Sequence, residues 1–302
     1  MFDSVNPVCR ALMVGAMIGV AACSGCQSPI RAKKGESPES IFSAFSPPTP
    51  AEAAAWAADG YDADKRYRGT LLLANAPWGG ERVYIELYER AIADEDPSVR
   101  GAAVRGLALH GGPEHVPAIA KLLDDPDRLL RWESARALQR LHNPEAVPAL
   151  IKRLEERTEP ESMVRSSSAE ALGQYAEPRV LDALIATLPD RDLTVHQSAR
   201  RSLRTLTGQD LGTDLRSWVA WRKRTTELFA ARQPYVYPVF ERDRNLVEIL
   251  VPIFEPPNET ASTPVGFDMT QRGGTAVAAQ TAPEDSSLPD QSTEPAPEQR
   301  NN

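Results

Sequence analysis

Cysteine is almost missing from this chain of 302 residues: Cys9, Cys23 and Cys26 are the whole complement, all within the first 26 positions. A disulfide framework for the rest is excluded, and so is a thiol nucleophile there. Aromatic residues make up only 6%, which with prominent Ala, Leu and Arg favours helices meeting through small residues over a β-sandwich. The apolar run "ALMVGAMIGVAA" covers only residues 11–22, short of the roughly 20 residues that a membrane-spanning helix needs. No P-loop, HExxH or GxSxG pattern occurs. Of the 4 histidines, His110, His115, His142 and His196, the first two lie near each other at a helix-helix turn without further ligands, and no metal or cofactor is expected.

A basic stripe is also lacking. The formal net charge is −8, but residues 62–227 hold 25 Lys and Arg against 26 Asp and Glu, while residues 250–302 hold 2 against 8. The acid sits in the tail and the middle is neutral, so no nucleic-acid partner is expected. The 26 prolines thin out in the middle and cluster towards both ends, where linker and tail are the reading.

What is present begins with an order of features. Arg10 precedes the apolar run and small residues follow it, the positive, apolar, small-residue succession of an export signal. The run closes on Val20-Ala21-Ala22-Cys23, which resembles the lipobox of bacterial lipoproteins. That resemblance implies that residues 1–22 are a signal peptide and that Cys23 becomes a lipidated N-terminus, with Cys26 as the alternative. It places the chain in the bacterial cell envelope, and Ser24 rather than Asp after Cys23 points to the periplasmic face of the outer membrane. Several acyl chains on one cysteine would anchor firmly, whereas one would hold only marginally. Residues 23–61, with "SPES", "SPPTP" and "AEAAAWAADG", read as a flexible tether.

The middle repeats. "DPSVRGAAVRGL" from Asp96, "DRLLRWESARAL" from Asp127, "ESMVRSSSAEAL" from Glu161 and "DLTVHQSARRSL" from Asp192 align, their starts 31, 34 and 31 residues apart. In each an acid is followed three residues on by Val99, Leu130, Val164 or Val195, then by Arg100, Arg131, Arg165 or His196, and later by Leu107, Leu138, Leu172 or Leu203. The acid suits an N-cap at the positive end of a helix, Glu161 least well. Apolar and alanine positions three, four and seven apart build one buried face. Second helices follow from Pro113, Pro144 and Pro178, with Pro117 and Pro148 in the first turn, where a missing N–H costs little.

A helix pair of 31 to 34 residues that cannot bury its face alone and recurs in tandem is the signature of an α-solenoid. The aligned acid, aliphatic and arginine resemble bacterial HEAT repeats, especially the short units of phycobilin lyases. The expected fold is all-α: a short right-handed α-solenoid of HEAT-like helix pairs, with a disordered N-terminal tether and C-terminal tail. The solenoid is read as residues 62–227, comprising a cap (62–94), repeats (95–207) and a closing helix (208–227) whose "TGQD" and tryptophans resemble the ending of HEAT-like envelope proteins. The arginines are expected to form a structural ladder with the acids of adjacent units. In the closing helix Leu215, Trp218, Val219 and Arg222 share a face.

Residues 228–256 carry "YPVFER" and "VPIFEP", each broken by proline and so unfit for a central strand. They either pack on the chain's own solenoid or add to a partner's sheet edge. Residues 257–302 have the composition of a disordered acidic tail.

These features favour a non-catalytic scaffold that presents a solenoid surface to an envelope protein, with the membrane reached through the N-terminal lipid. Candidate contacts are Lys121, Lys152, Trp221, Tyr237, Phe240 and Phe254. The alternative is a HEAT-like lyase or small-ligand-binding protein. Deoxyhypusine hydroxylase, a HEAT-repeat enzyme, holds iron with His-Glu pairs, and no His-Glu dipeptide occurs here.

Overall fold

The computed structural model describes residues 48–239 and 260–268. Among these the elements are helical, with one isolated β-bridge. Eleven α-helices succeed one another among the described residues: α1 Pro50–Ala57, α2 Ala63–Asn75, α3 Arg82–Ala91, α4 Pro97–His110, α5 Val116–Lys121, α6 Arg128–Arg140, α7 Val147–Lys152, α8 Ser162–Leu172, α9 Pro178–Thr187, α10 Leu193–Thr207 and α11 Leu215–Arg224. All belong to one compact unit that begins at Thr49.

The first helices α2, α4, α6, α8 and α10 stack on one another, and α3, α5, α7 and α9 each pack on the first helix that follows. This is the short α-solenoid that the repeats predict. Acids start the first helices as expected. Asp96 accepts from the Ser98 and Val99 N–H groups at 2.8 and 3.2 Å, Asp127 from Leu130 at 2.8 Å and Asp192 from Thr194 at 2.9 Å. Glu161 makes no side-chain cap bond, consistent with the preference for short side chains at this position. The repeated aliphatics Val99, Leu130, Val164 and Val195, and the leucines Leu107, Leu138, Leu172 and Leu203, are all buried.

Residues 62–94 are more than a cap. Asp62 accepts from the Lys65 N–H at 3.1 Å and starts α2 as the other acids start their helices. It lies 34 residues before Asp96, so the unit starts run at intervals of 34, 31, 34 and 31. Leu71, Leu72 and Leu73 are consecutive and point in different directions, so Leu73 is buried while Leu72 is exposed. Val83 is exposed too, and Tyr84 and Tyr88 are buried. Tyr88 lies on Gly106, where an added Cβ would come within 2.8 Å of the ring.

The tether reading fails for residues 50–57, which form α1. Thr49 and Glu52 close a reciprocal cap, with the Glu52 carboxylate accepting the Thr49 N–H at 2.8 Å and the Thr49 hydroxyl accepting the Glu52 N–H at 3.3 Å. Alanine-rich composition is as compatible with a helix as with a spacer. The partner decides, because Gly69 on α2 has no side chain and lets the α1 backbone come into contact.

At the other end Gly208, with φ at +68°, stops α10, and Asp214 caps α11 through the Arg216 and Ser217 N–H groups at 3.2 and 3.1 Å. The buried face of α11 is not the expected one. Trp218 is fully buried and Trp221 packs edge-on against it at 5.8 Å, while Leu215 and Val219 are exposed. The Trp218 indole N–H donates to the Gly212 carbonyl at 2.9 Å, which turns α11 so that the two indoles cover the core.

The tail reading also needs correction, since residues 260–268 lie against the solenoid. Short polar and proline-containing sequence shows no periodicity, yet Val265 bonds the backbone of Arg140 and His142 at the turn after α6.

A Cβ at residue 69 would sit 2.3 Å from the Ala57 nitrogen. Gly69→Ala should therefore cost about 1–3 kcal/mol of α1 docking. Hydrogen exchange should show protection lost across residues 51–58 and retained in α8 and α10; unchanged protection of α1 would refute this packing.

Candidate functional site

The arginine ladder accounts for most of the buried charge. Arg66 reaches Asp94 through Nε and Nη2 at 2.8 and 2.9 Å, and Arg100 reaches both Asp125 oxygens through Nη2 at 3.1 and 2.9 Å. Arg131 grips Glu159 at 2.7 and 2.9 Å, and Arg165 grips Asp190 at 2.9 and 3.2 Å. In the last three rungs Nη1 donates to two carbonyls of the loop leading into its own helix. The acids are therefore not the repeated Asp96, Asp127, Glu161 and Asp192, but the residues two before them. Each loop acid also accepts the N–H two residues on, at 2.9, 2.8, 3.1 and 2.8 Å in chain order. Asp96 and Asp127 spend their carboxylates on their own helices, and Asp192 caps its own helix and also meets Ser162 at the start of α8. The Glu159 carboxylate holds the Arg131 guanidinium above its ordinary range, against burial. His196 occupies the next equivalent position, and its buried Nε2 has no hydrogen-bond partner among the described residues. The ladder is a structural device, and Arg66 extends it one unit beyond the aligned set.

The sequence candidates are dispersed. Lys121 ends α5 and is exposed. Lys152, also exposed, lies 2.7 Å from Asp124, which Arg153 contacts as well. Trp221 belongs to the cover over the core. Tyr237 lies beneath the Arg140 guanidinium, 4.6 Å from ring centre to Cζ, and its N–H donates to Ser262. Cys23, Cys26, Phe240 and Phe254 lie outside the described residues.

Two surfaces emerge that the candidate set did not name. The first is an open groove of about 640 Å³ across α2, α4 and α6, lined among others by Tyr67, Leu71, Gly101, Arg105, Leu129 and Glu133. It exists because Ser98 and Gly101 on α4 are small between the larger side chains of α2 and α6. Leu129, Met163 and Leu193, in the first turns of α6, α8 and α10, are all exposed. Their signal was present in the repeats, as an apolar residue just before or two before the buried aliphatic.

The second surface is the turn between α6 and α7. The His142 ring stacks on Tyr175 at 4.9 Å and meets the edge of Phe267 at 5.3 Å. Gln174 donates its amide to the Leu138 carbonyl at 2.7 Å, so its oxygen faces His142 Nδ1 at 3.0 Å and that nitrogen carries the proton. Burial pushes the His142 imidazole below its ordinary value; the Gln174 bond opposes this, and nearby Arg232 adds to the depression. Arg232 lies over the Phe267 ring at 5.0 Å and donates to the Gln174 carbonyl at 2.7 Å. Val265 donates to the Arg140 carbonyl at 2.8 Å and accepts from the His142 N–H at 2.9 Å.

Residues 86–161 match the family of HEAT repeats, and residues 164–188 match the PBS lyase HEAT-like repeat. The helical body carries HEAT repeats. Human deoxyhypusine hydroxylase, in complex with glycerol, is 27% identical over 51% of this chain and 60% of its own, with a TM-score of 0.38. An engineered protein is 22% identical over 51% of this chain and 77% of its own, with a TM-score of 0.41. This chain thus spans less than two thirds of the hydroxylase, and at these scores neither likeness carries a functional argument. No curated protein matches. Among the described residues of the HEAT-repeat body no cluster of three or more His, Cys, Asp or Glu could hold a metal ion, and no helix is long and apolar enough to cross a membrane.

Two outcomes follow for the HEAT-repeat body. The Glu159 side chain is fully buried between Arg131 and Arg153, so Glu159→Gln should cost about 3–5 kcal/mol in urea unfolding; a cost under 1 kcal/mol would refute the role of the rung. His142 has a depressed folded pKa, so below its unfolded value of about 6.5 the unfolded chain binds the extra proton more readily. Its contribution is complete above that pH and is lost as pH falls. Between pH 7.5 and 5.5 the melting temperature should drop more for the wild type than for His142→Gln, and parallel curves would contradict this.

Proposed function

We propose that this chain is a non-catalytic protein-binding scaffold of the bacterial cell envelope. It is held to a membrane by lipid on Cys23, or alternatively Cys26, and presents its HEAT repeats to an envelope protein. The observation that carries the reading is the first-helix face, where Leu129 lines the groove and Met163 and Leu193 are exposed in the first turns of the next two stacked first helices. Apolar surface rimmed by polar residues is the usual mark of a protein contact. The charged groups nearby are largely engaged within the body: Arg105 bonds Asn75 at 3.0 Å and Arg100 is held in the ladder. A partner would therefore be read mainly through apolar contacts on this face. The envelope address rests on the lipobox-like end of the apolar run at residues 20–23.

A second reading has one observation in its favour. A volume of about 640 Å³ falls within the range of small-molecule sites, so the groove is also of a size to take an apolar ligand.

In-cell crosslinking, mild detergent extraction and mass spectrometry test the scaffold. A stoichiometric envelope protein should be recovered with the wild type and reduced severalfold with Leu129→Glu/Met163→Glu. Both sites are exposed, so unfolding should change by no more than about 0.5 kcal/mol. Equal recovery with the double variant, or no stoichiometric partner, would overturn the reading. Cys23→Ser should move the chain from the membrane pellet to the soluble fraction; retention in the pellet would remove the anchor at that residue.

A further inference from the structure

The turn between α6 and α7 differs from a plain connector. α6 ends at Leu141 in an extended conformation, with φ −119° and ψ 123°. That leaves the Arg140 carbonyl and the His142 N–H pointing outward, an edge of sheet one residue long, and Val265 pairs with both in parallel register. On either side of Val265 the fit is specific. Pro264 is buried. Gly266 has φ at +83°, and an added Cβ would meet Pro113 Cγ at 2.5 Å, so only glycine suits that place. Phe267 enters an aromatic and cationic niche made by His142, Tyr235 and Arg232.

The docked segment is nonetheless a surface ligand in its manner of binding. Val265 is itself exposed, and no residue of 260–268 belongs to the buried core cluster. Residues 240–259 join it in sequence to the stretch that follows α11, so the contact is intramolecular. Beside Phe267, the buried Tyr235 hydroxyl and Arg232 Nε have no hydrogen-bond partner among the described residues. They leave unmet polar capacity within the niche.

We propose that this turn is a recognition site for an extended Pro-aliphatic-Gly-aromatic segment of a partner protein, and that residues 264–267 of the chain occupy it as an intramolecular competitor. Backbone pairing supplies the register, the glycine position admits the close approach, and the aromatic niche supplies the selectivity. Because these residues belong to the same chain, they compete as an intramolecular ligand. A partner carrying the motif must therefore bind tightly or be held nearby. The inference rests on the scaffold reading and adds to it a second contact, away from the groove of α2, α4 and α6.

The test uses the full chain. Gly266→Val puts a β-branched side chain at a positive φ and into Pro113, so it should empty the site. A fluorescent peptide of residues 260–268 should then bind Gly266→Val at least about tenfold more tightly than it binds the wild type, whose own segment competes. A peptide with Phe267→Ala should lose that binding, and the His142 ring resonances should shift only with the native peptide. Absence of binding to a Gly266→Val chain that is folded by circular dichroism would overturn the proposal. So would failure of that variant to fold, which would make the segment part of the body, or equal binding of the Phe267→Ala peptide. Concentration-dependent dimers of the wild type that the peptide dissolves would replace the partner by a second copy. None of these outcomes depends on Leu129 or Met163, so failure here and failure of the scaffold are distinguishable.

Discussion

Each unit of this protein is tied to the next by an arginine that looks forward and a carboxylate that looks back. Arg66, Arg100, Arg131 and Arg165 sit one turn into their helices and reach Asp94, Asp125, Glu159 and Asp190 in the loops ahead. The same carboxylates hold the amide of the residue that opens the following helix. One group therefore fixes the loop, the start of the next helix and the separation of the two helices. A buried pair of this kind yields modest net stability because both partners lose water, but breaking it leaves an uncompensated charge. Its value here is register: helix pairs that cannot bury their faces alone are stacked at one repeated offset. The series ends where an imidazole, His196, takes the place of the arginine and the two tryptophans of α11 cover the open face.

The ladder also bears on where recognition can occur. By engaging its arginines and loop acids internally, it leaves surfaces whose character is apolar or set by backbone. The first-helix face has exposed Leu129, Met163 and Leu193 beside a groove. At the α6–α7 turn Val265 bonds the Arg140 carbonyl and the His142 N–H, and Phe267 fills an aromatic niche. Lys152, by contrast, is already engaged with Asp124.

Legibility in the sequence followed from repetition. The acid, aliphatic, arginine and leucine positions recur at two alternating intervals, and recurrence exposes a pattern that a single helix would conceal. Asp62 and Arg66 obey the same spacing, but the leucine-rich stretch behind them does not show the alanine-rich face of the later units. Asp94, Asp125, Glu159 and Asp190 also recur, two residues before the more conspicuous caps. Which of two neighbouring acids meets an arginine depends on how the loop turns, and loop conformation carries no periodic signal.

The sequence by itself determined the all-helical repeat architecture, the starts of the first helices at Asp96, Asp127 and Asp192, and the buried aliphatic and leucine positions of the four aligned repeats, because periodic burial and capping act over a few neighbouring positions. Only the tertiary structure decided the rest: α1 lying on Gly69, the pairing of the ladder, the face of α11 turned inward, and the docking of residues 260–268 at His142. Each of these joins segments distant in the chain through a notch, a charge or a backbone hydrogen bond. Such a complement exists only once the helices are stacked and has no counterpart in local composition.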